Sequence, residues 1–151
     1  MSGVTVRAAV AADVAMLLRM MAALGAHDGL SAALKATEET LLRDGFGPQP
    51  RFEALVAEAD GEVAGYASFT QPYAIWRGAT YLAVDDVYVR DGFRARGVGK
   101  ALMLRLRETG LARGADLRWE VEAGNERAIA FYKGLGARMR IKGFCYWEVT
   151  D

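Results

Sequence analysis

The sequence is poor in the residues that build covalent staples and metal centres, with one cysteine, Cys145, and one histidine, His27. A lone thiol cannot close an intramolecular disulfide, and no Cys/His cluster supplies the ligands of a zinc site, so a metal-free protein is expected. An excess of one charge is also missing. Lysine plus arginine and aspartate plus glutamate both number 19, for a formal net charge of +0. No global basic field recruits nucleic acid or anionic lipid, and any anion site must be local. No apolar run approaches the ~20 residues of a membrane-spanning helix. Residues 1–7 show no basic stretch followed by an apolar signal core. These absences set the expectation of a cytoplasmic protein whose partners are neither nucleic acid nor membrane. No repeat, low-complexity tract or linker divides the chain, so one domain over residues 1–151 is expected, its 52% hydrophobic content forming a core.

What is present is a regular alternation of strand and helix signals. Residues 4–7 suit a short strand, and Asp13 introduces a helical pattern with Val14, Leu17, Leu18, Met21 and Leu24 on one face, ending at Gly25. His27, Asp28 and Gly29 read as a loop before a helical turn at 30–34, and Thr37 caps a helix over 38–43. Gly45, Gly47, Pro48 and Pro50 break the chain ahead of a strand over 52–58. Asp60-Gly61 is a two-residue hairpin signal, returning a strand over 63–70. A loop over 72–78 carries Tyr73 and Trp76. The strand predicted over 80–89 is apolar and β-branched except for Asp85 and Asp86. A helix from Val98 closes at Gly114, a short strand covers 117–121, and Asn125 caps a helix over 126–135. Residues 138–142 and 144–149 suit a hairpin about Gly143.

Three stretches carry chemistry. Arg94, Ala95, Arg96, Gly97, Val98, Gly99 and Lys100 form a basic, glycine-punctuated turn where a strand gives way to a helix. Glycines there let consecutive N–H groups point at one anion while the helix dipole adds positive potential, which suits a phosphate or pyrophosphate. The same residues also suit a tight surface connection with solvated arginines. Their spacing is neither Gly-x-Gly-x-x-Gly nor Gly-x-x-x-x-Gly-Lys-[Ser/Thr], so a dinucleotide or P-loop site is a poor match.

Asp85 and Asp86 interrupt an apolar strand, where neighbouring residues point to opposite faces, so at most one meets a given pocket. An acid there either pairs structurally with a cation or attracts an amine and takes its proton. A primary amine of pKa about 10.4 is neutral about one time in a thousand near pH 7, and only the neutral form attacks. The third stretch holds Asn125, Ala128, Phe131 and Tyr132 in a helix after a strand. A phenol of pKa about 10 stays protonated at neutral pH and can donate to a leaving thiolate, whereas the alternative is an aromatic pair packed in a core.

Taken together, the turn with Arg94, Gly97 and Gly99, then Asn125 and the Phe131-Tyr132 pair, resemble the acyl-CoA site of the GNAT superfamily of N-acetyltransferases. The similarity is to the diamine (spermidine/spermine) branch, through Leu41 to Gly47, Leu55 to Glu58, Trp76, Gly78 and Asp85 to Val89. It implies an α/β (α+β) fold with a mixed, mainly antiparallel central sheet flanked by helices, splayed to admit acetyl-CoA. The implied acceptor is a primary amine of a small molecule: a polyamine, a diamine or a lysine-like amine. By the same resemblance, Val87, Tyr88 and Val89 pair with the pantetheine arm, residues 94–100 hold the pyrophosphate and Asn125 and Ala128 touch the arm. Tyr132 protonates the thiolate, Asp85 is base or amine anchor, and Asp28, Trp76 and Asp86 help bind the amine. Where the branch has a glutamate this chain has Asp85, and where it has an acid two residues before the tryptophan this chain has Ala74. Those departures extend the acceptor to a smaller amine, an amino acid or a thialysine-like compound. A non-catalytic acyl-CoA binder, or an enzyme acting on a protein amine, is the alternative. The resemblance also implies a homodimer, with Cys145, Tyr146 and Trp147 in a strand that serves core or interface.

Overall fold

In the computed structural model, which describes residues 3–150, strand β1 (Thr5–Ala8) leads to helices α1 (Val14–His27) and α2 (Glu38–Phe46). Strands β2 (Glu53–Ala59) and β3 (Glu62–Thr70) follow, then the two-residue strands β4 (Tyr73–Ala74) and β5 (Ala79–Thr80), and the long strand β6 (Leu82–Val89). Helix α3 (Val98–Arg113), strand β7 (Leu117–Arg118) and helix α4 (Glu126–Gly134) complete the order. The chain divides into two compact units, one reaching Trp119 and one beginning at Glu120.

The first unit is built on a five-stranded sheet in the order β1-β2-β3-β6-β7, antiparallel throughout except for the parallel pair β6-β7. This is the mixed, mainly antiparallel sheet with flanking helices that the resemblance implied. Its nucleus is the Asp60-Gly61 hairpin. Both residues are left-handed, with φ of 55° and 75°, as a two-residue turn between right-twisted strands requires. Strands β2 and β3 are buried on both faces, so helices must cover both. On one face Leu17 and Met20 of α1 pack on Ala54, Val56, Tyr66 and Tyr88. On the other, Val98 of α3 lies over Gly65, where a β-carbon would come within 3.2 Å of its Cγ1. Each fully buried large apolar side chain contributes about 1.5–3 kcal/mol. Val56, Phe69, Leu82, Val98, Leu102 and Leu106 are such residues.

Several expected boundaries move. Helix α1 does not stop at Gly25 but runs to His27, because the left-handed residue is Gly29 at φ 69°. Leu30 N–H then bonds the Gly25 carbonyl at 2.7 Å and Gly29 N–H the Ala26 carbonyl at 3.4 Å, a Schellman closure. Thr37 does cap α2, its hydroxyl accepting from Thr40 N–H at 3.2 Å, but the helix continues through Gly45 to Phe46. Strand β7 is two residues rather than five, since only Leu82 and Ala83 offer it a partner.

In the second unit the predicted hairpin over 138–149 is absent, and residues 137–150 carry no strand. Gly143 is not left-handed, so the tight turn that would fold the two arms together is missing. Ile141, Phe144, Tyr146, Trp147 and Val149 are exposed. Cys145 is exposed as well, so of the two expected places, core or interface, the core is ruled out.

Candidate active site

The two acids of β6 sit at an irregularity in the sheet. Pairing with β3 runs Ala67 to Val87 and Ser68 to Asp86, then jumps to Phe69 with Val84, leaving Asp85 as an extra residue on β6. This bulge interrupts the alternation from which the two side chains were expected on opposite faces, and bulges re-aim side chains in this way. Asp85 is exposed and Asp86 half-buried. The hydroxyl of Tyr66 donates to Asp86 Oδ2 at 2.8 Å. Burial, reinforced by the Asp86 charge, pushes the Tyr66 phenol well above its ordinary value, so it remains a donor across the working pH range.

Beyond the bulge, β6 runs on to Val89 while its pairing with β7 ends at Ala83. The Arg90 N–H donates to the Ala64 carbonyl on β3 at 2.8 Å. Strand alternation therefore turns the N–H and C=O groups of Val89 and Val87 to the opposite edge. Tyr88 is buried between them, against the Tyr66 ring at 6.2 Å.

That edge leads into the glycine turn. Ala95 and Gly97 are left-handed, with φ of 60° and 80°, and the residues between and after them are not. Alternating handedness of this kind turns successive N–H groups inward as an anion-binding nest. Gly97 is also the cap of α3 and supplies no side-chain bond. The first intrahelical bond is Ala101 N–H to the Gly97 carbonyl, at 2.9 Å, so the N–H groups of Val98, Gly99 and Lys100 precede the helical ladder. The arginines are less available than their sequence suggests. Arg94 lies 3.3 Å from Asp91 and Arg96 2.7 Å from Asp60. Both are exposed ion pairs, weak enough for a phosphate to displace.

In the second unit, Asn125 accepts from Ala128 N–H at 3.2 Å and so caps α4, as predicted. Tyr132 is half-buried, with the Phe131 ring 5.3 Å away. Burial raises its phenol pKa, further from neutral pH, where a phenol already holds its proton. Two predicted amine-site residues are found in open positions. Trp76 is fully exposed, and Asp28, beside the end of α1, pairs with His27 Nδ1 at 3.1 Å. Among the described residues no group of three His, Cys, Asp or Glu side chains is placed to hold a metal ion, and no helix is long and apolar enough to cross a membrane.

Sequence reasoning gave no site role to Tyr66, Asp60 or Phe93. Phe93 is buried, with the guanidinium groups of Arg90 and Arg96 at 5.6 and 5.4 Å from its ring. Asp60 reaches Arg96 from 36 residues away, a pairing that only the folded hairpin creates. A tyrosine between Gly65 and Ala67, in the middle of strand β3, was the local signal for Tyr66.

Comparison with known proteins gives this geometry a context. The family model of the acetyltransferase (GNAT) family matches residues 23–137. The chain is 35% identical over 147 residues to thialysine N-epsilon-acetyltransferase of Bos taurus, covering 91% of this chain and 86% of that protein. It is 29% identical over 140 residues to spermidine/spermine N(1)-acetyltransferase-like protein 1 of Homo sapiens, covering 87% of this chain and 20% of that protein. Among solved structures, an aminoglycoside N-acetyltransferase in complex with CoA superposes with a TM-score of 0.76 at 18% identity, covering 98% of this chain and 96% of that one.

Proposed function

This chain belongs to the acetyltransferase (GNAT) family, and from that premise we propose that it moves an acetyl group from acetyl-CoA to a primary amine of a polyamine, diamine or lysine-like small molecule. It is an N-acetyltransferase acting on a small-molecule amine. The observation that carries the site assignment is the run from the open edge of β6 at Val87 and Val89 into the nest at Ala95 and Gly97. Backbone groups of Val87 to Val89 would hold the amide-bearing arm of the donor. N–H groups from Ala95 to Lys100, with Arg94 and Arg96, would hold its pyrophosphate, and Asn125 and Ala128 would line the arm.

The reaction is a direct transfer. The amine gives up its proton to Asp85, its nitrogen bonds the thioester carbonyl carbon, and the C–S bond breaks. The Val87 N–H would stabilise the oxyanion and Tyr132 would protonate the departing sulfur. The nitrogen loses its second proton to solvent as the amide forms, and proton exchange with solvent restores the Tyr132 phenol and the Asp85 carboxylate, leaving a neutral amide and a free thiol. Asp86, with Asp28 and Trp76, attracts the cationic acceptor. Tyr132 takes this role from the family resemblance, as a phenol that is protonated at neutral pH and so has a proton to give.

The test is thiol release from acetyl-CoA across a panel of polyamines, diamines, lysine analogues and amino acids. Release with at least one amine is expected, and release with none would overturn the reading. Changing Tyr132→Phe should lower kcat about a hundredfold, within the usual range for a lost acid catalyst, while the acetyl-CoA KM changes little. We also propose that the enzyme is cytoplasmic and works as a homodimer, supported by its one exposed thiol and the exposed apolar residues Phe144, Tyr146 and Trp147. Sedimentation of the full chain at twice its 16.4 kDa mass is the expected result for the dimer.

A further inference from the structure

The hydroxyl of Tyr66 is a polar atom where folding alone has no use for one. The residue is 1% exposed and packs in the apolar cluster of Leu17, Met20, Ala54, Val56 and Tyr88. A phenylalanine would fill that space with nothing to satisfy, whereas a buried hydroxyl disfavours folding unless it finds a partner. Its partner is Asp86 Oδ2 at 2.8 Å. Asp86 pairs in register with Ser68, beside the extra residue of the β6 bulge, so its side chain shares the face of Tyr88 and Tyr66, but the strand fixes only that face and not the rotation of the carboxylate. Something other than the backbone must therefore hold this carboxylate in place.

We infer that Tyr66 is a positioning residue for the amine acceptor: its phenol grips one oxygen of Asp86 and leaves Oδ1 to receive the ammonium group of the substrate. This rests on the acetyl-transfer reading. The Tyr88 ring, 6.2 Å from that of Tyr66, holds the phenol from the side, and the same Tyr88 lies between the two residues proposed to pair with the donor. Acceptor and donor sites are thus braced by one aromatic pair. Because burial keeps the phenol protonated, it serves Asp86 as a donor and never competes with it for the substrate's proton.

The test is steady-state kinetics of Tyr66→Phe at saturating acetyl-CoA, using an amine that the wild-type enzyme acetylates. The amine KM should rise about tenfold, with kcat and the acetyl-CoA KM within about twofold of wild type. Asp86→Asn should raise the amine KM similarly, and in that background Tyr66→Phe should add less than about twofold, since no carboxylate is left to orient. A Tyr66→Phe enzyme with a wild-type amine KM and only a lowered Tm would overturn the inference, as would additive effects in the double variant. Should Tyr66→Phe not fold, Asp86→Glu supplies the same test. It keeps the charge but displaces the carboxylate from the phenol, so a raised amine KM is expected and an unchanged one overturns the inference. Failure of the wild-type enzyme to acetylate any amine would instead strike at the acetyl-transfer reading, and would be seen before any variant is made.

Discussion

Asp13 is a carboxylate that the core accepts because its oxygens are met. It is 8% exposed, receives Arg7 Nη1 and Nη2 at 2.7 and 2.9 Å, and accepts from the Val10 N–H at 2.7 Å. Arg7 extends the network to Glu58 on β2, Nε to Oε1 at 2.6 Å, so β1, the start of α1 and β2 share one polar knot. The Arg7 guanidinium, ahead of the Val10 N–H, holds the Asp13 carboxyl below its ordinary value of 3.8. A depressed folded value means stability that is complete above the unfolded value and is lost as pH falls through the folded one. Replacing Asp13→Asn should lower the unfolding free energy by about 2 kcal/mol at pH 7. In urea titrations the gap between variant and wild type should narrow as pH drops below 3.8. A gap independent of pH would show that the charge is not what matters at this residue.

At the scale of an element, α3 offers a matched pair of experiments. Gly97 precedes it at φ 80° and Gly114 follows it at φ 63°, and an added β-carbon at either position meets nothing within 4 Å. Alanine at each should therefore destabilise the fold by about 1 kcal/mol through backbone strain alone. Only Gly97 lies in the nest, so Gly97→Ala should also raise the acetyl-CoA KM by about tenfold, while Gly114→Ala leaves it unchanged. Equal effects on KM would show that the turn acts through helix stability and not by holding the donor. The ends of this helix were readable in the sequence because glycine marks left-handed positions. Ala95 was not, since nothing local announces an alanine at φ 60°. The same limit applies to β6. Its apolar run announced a strand, but the bulge at Asp85 is a matter of register with β3, which is absent from either strand alone.

For the molecule as a whole, a tight constraint lies at Gly65, where β3, β6 and α3 converge. A β-carbon there would collide with the Tyr88 carbonyl and approach Val98 Cγ1 and Val89 Cα at 3.2 and 3.3 Å. Gly65→Ala should destabilise the protein by about 3 kcal/mol, at the upper end of overpacking effects, visible as a lower urea midpoint. It should also disturb the donor edge, since Val89 and Tyr88 must shift. Composition, hydropathy period and turn chemistry were enough to establish the order of the longer elements from β1 to α4, the Asp60-Gly61 hairpin, the Thr37 and Asn125 caps and the positions of the glycine turn and Tyr132. These depend on neighbours within about one helical turn or hairpin, where local sterics and hydrogen bonding decide the outcome. The bulge at Asp85, the pairing of Arg96 with Asp60 and the phenol of Tyr66 on Asp86 were decided by the tertiary structure alone. Each depends on which strand lies beside which, and on where a long side chain finds its partner across the fold. Such non-local pairings leave no periodic trace in the chain that makes them.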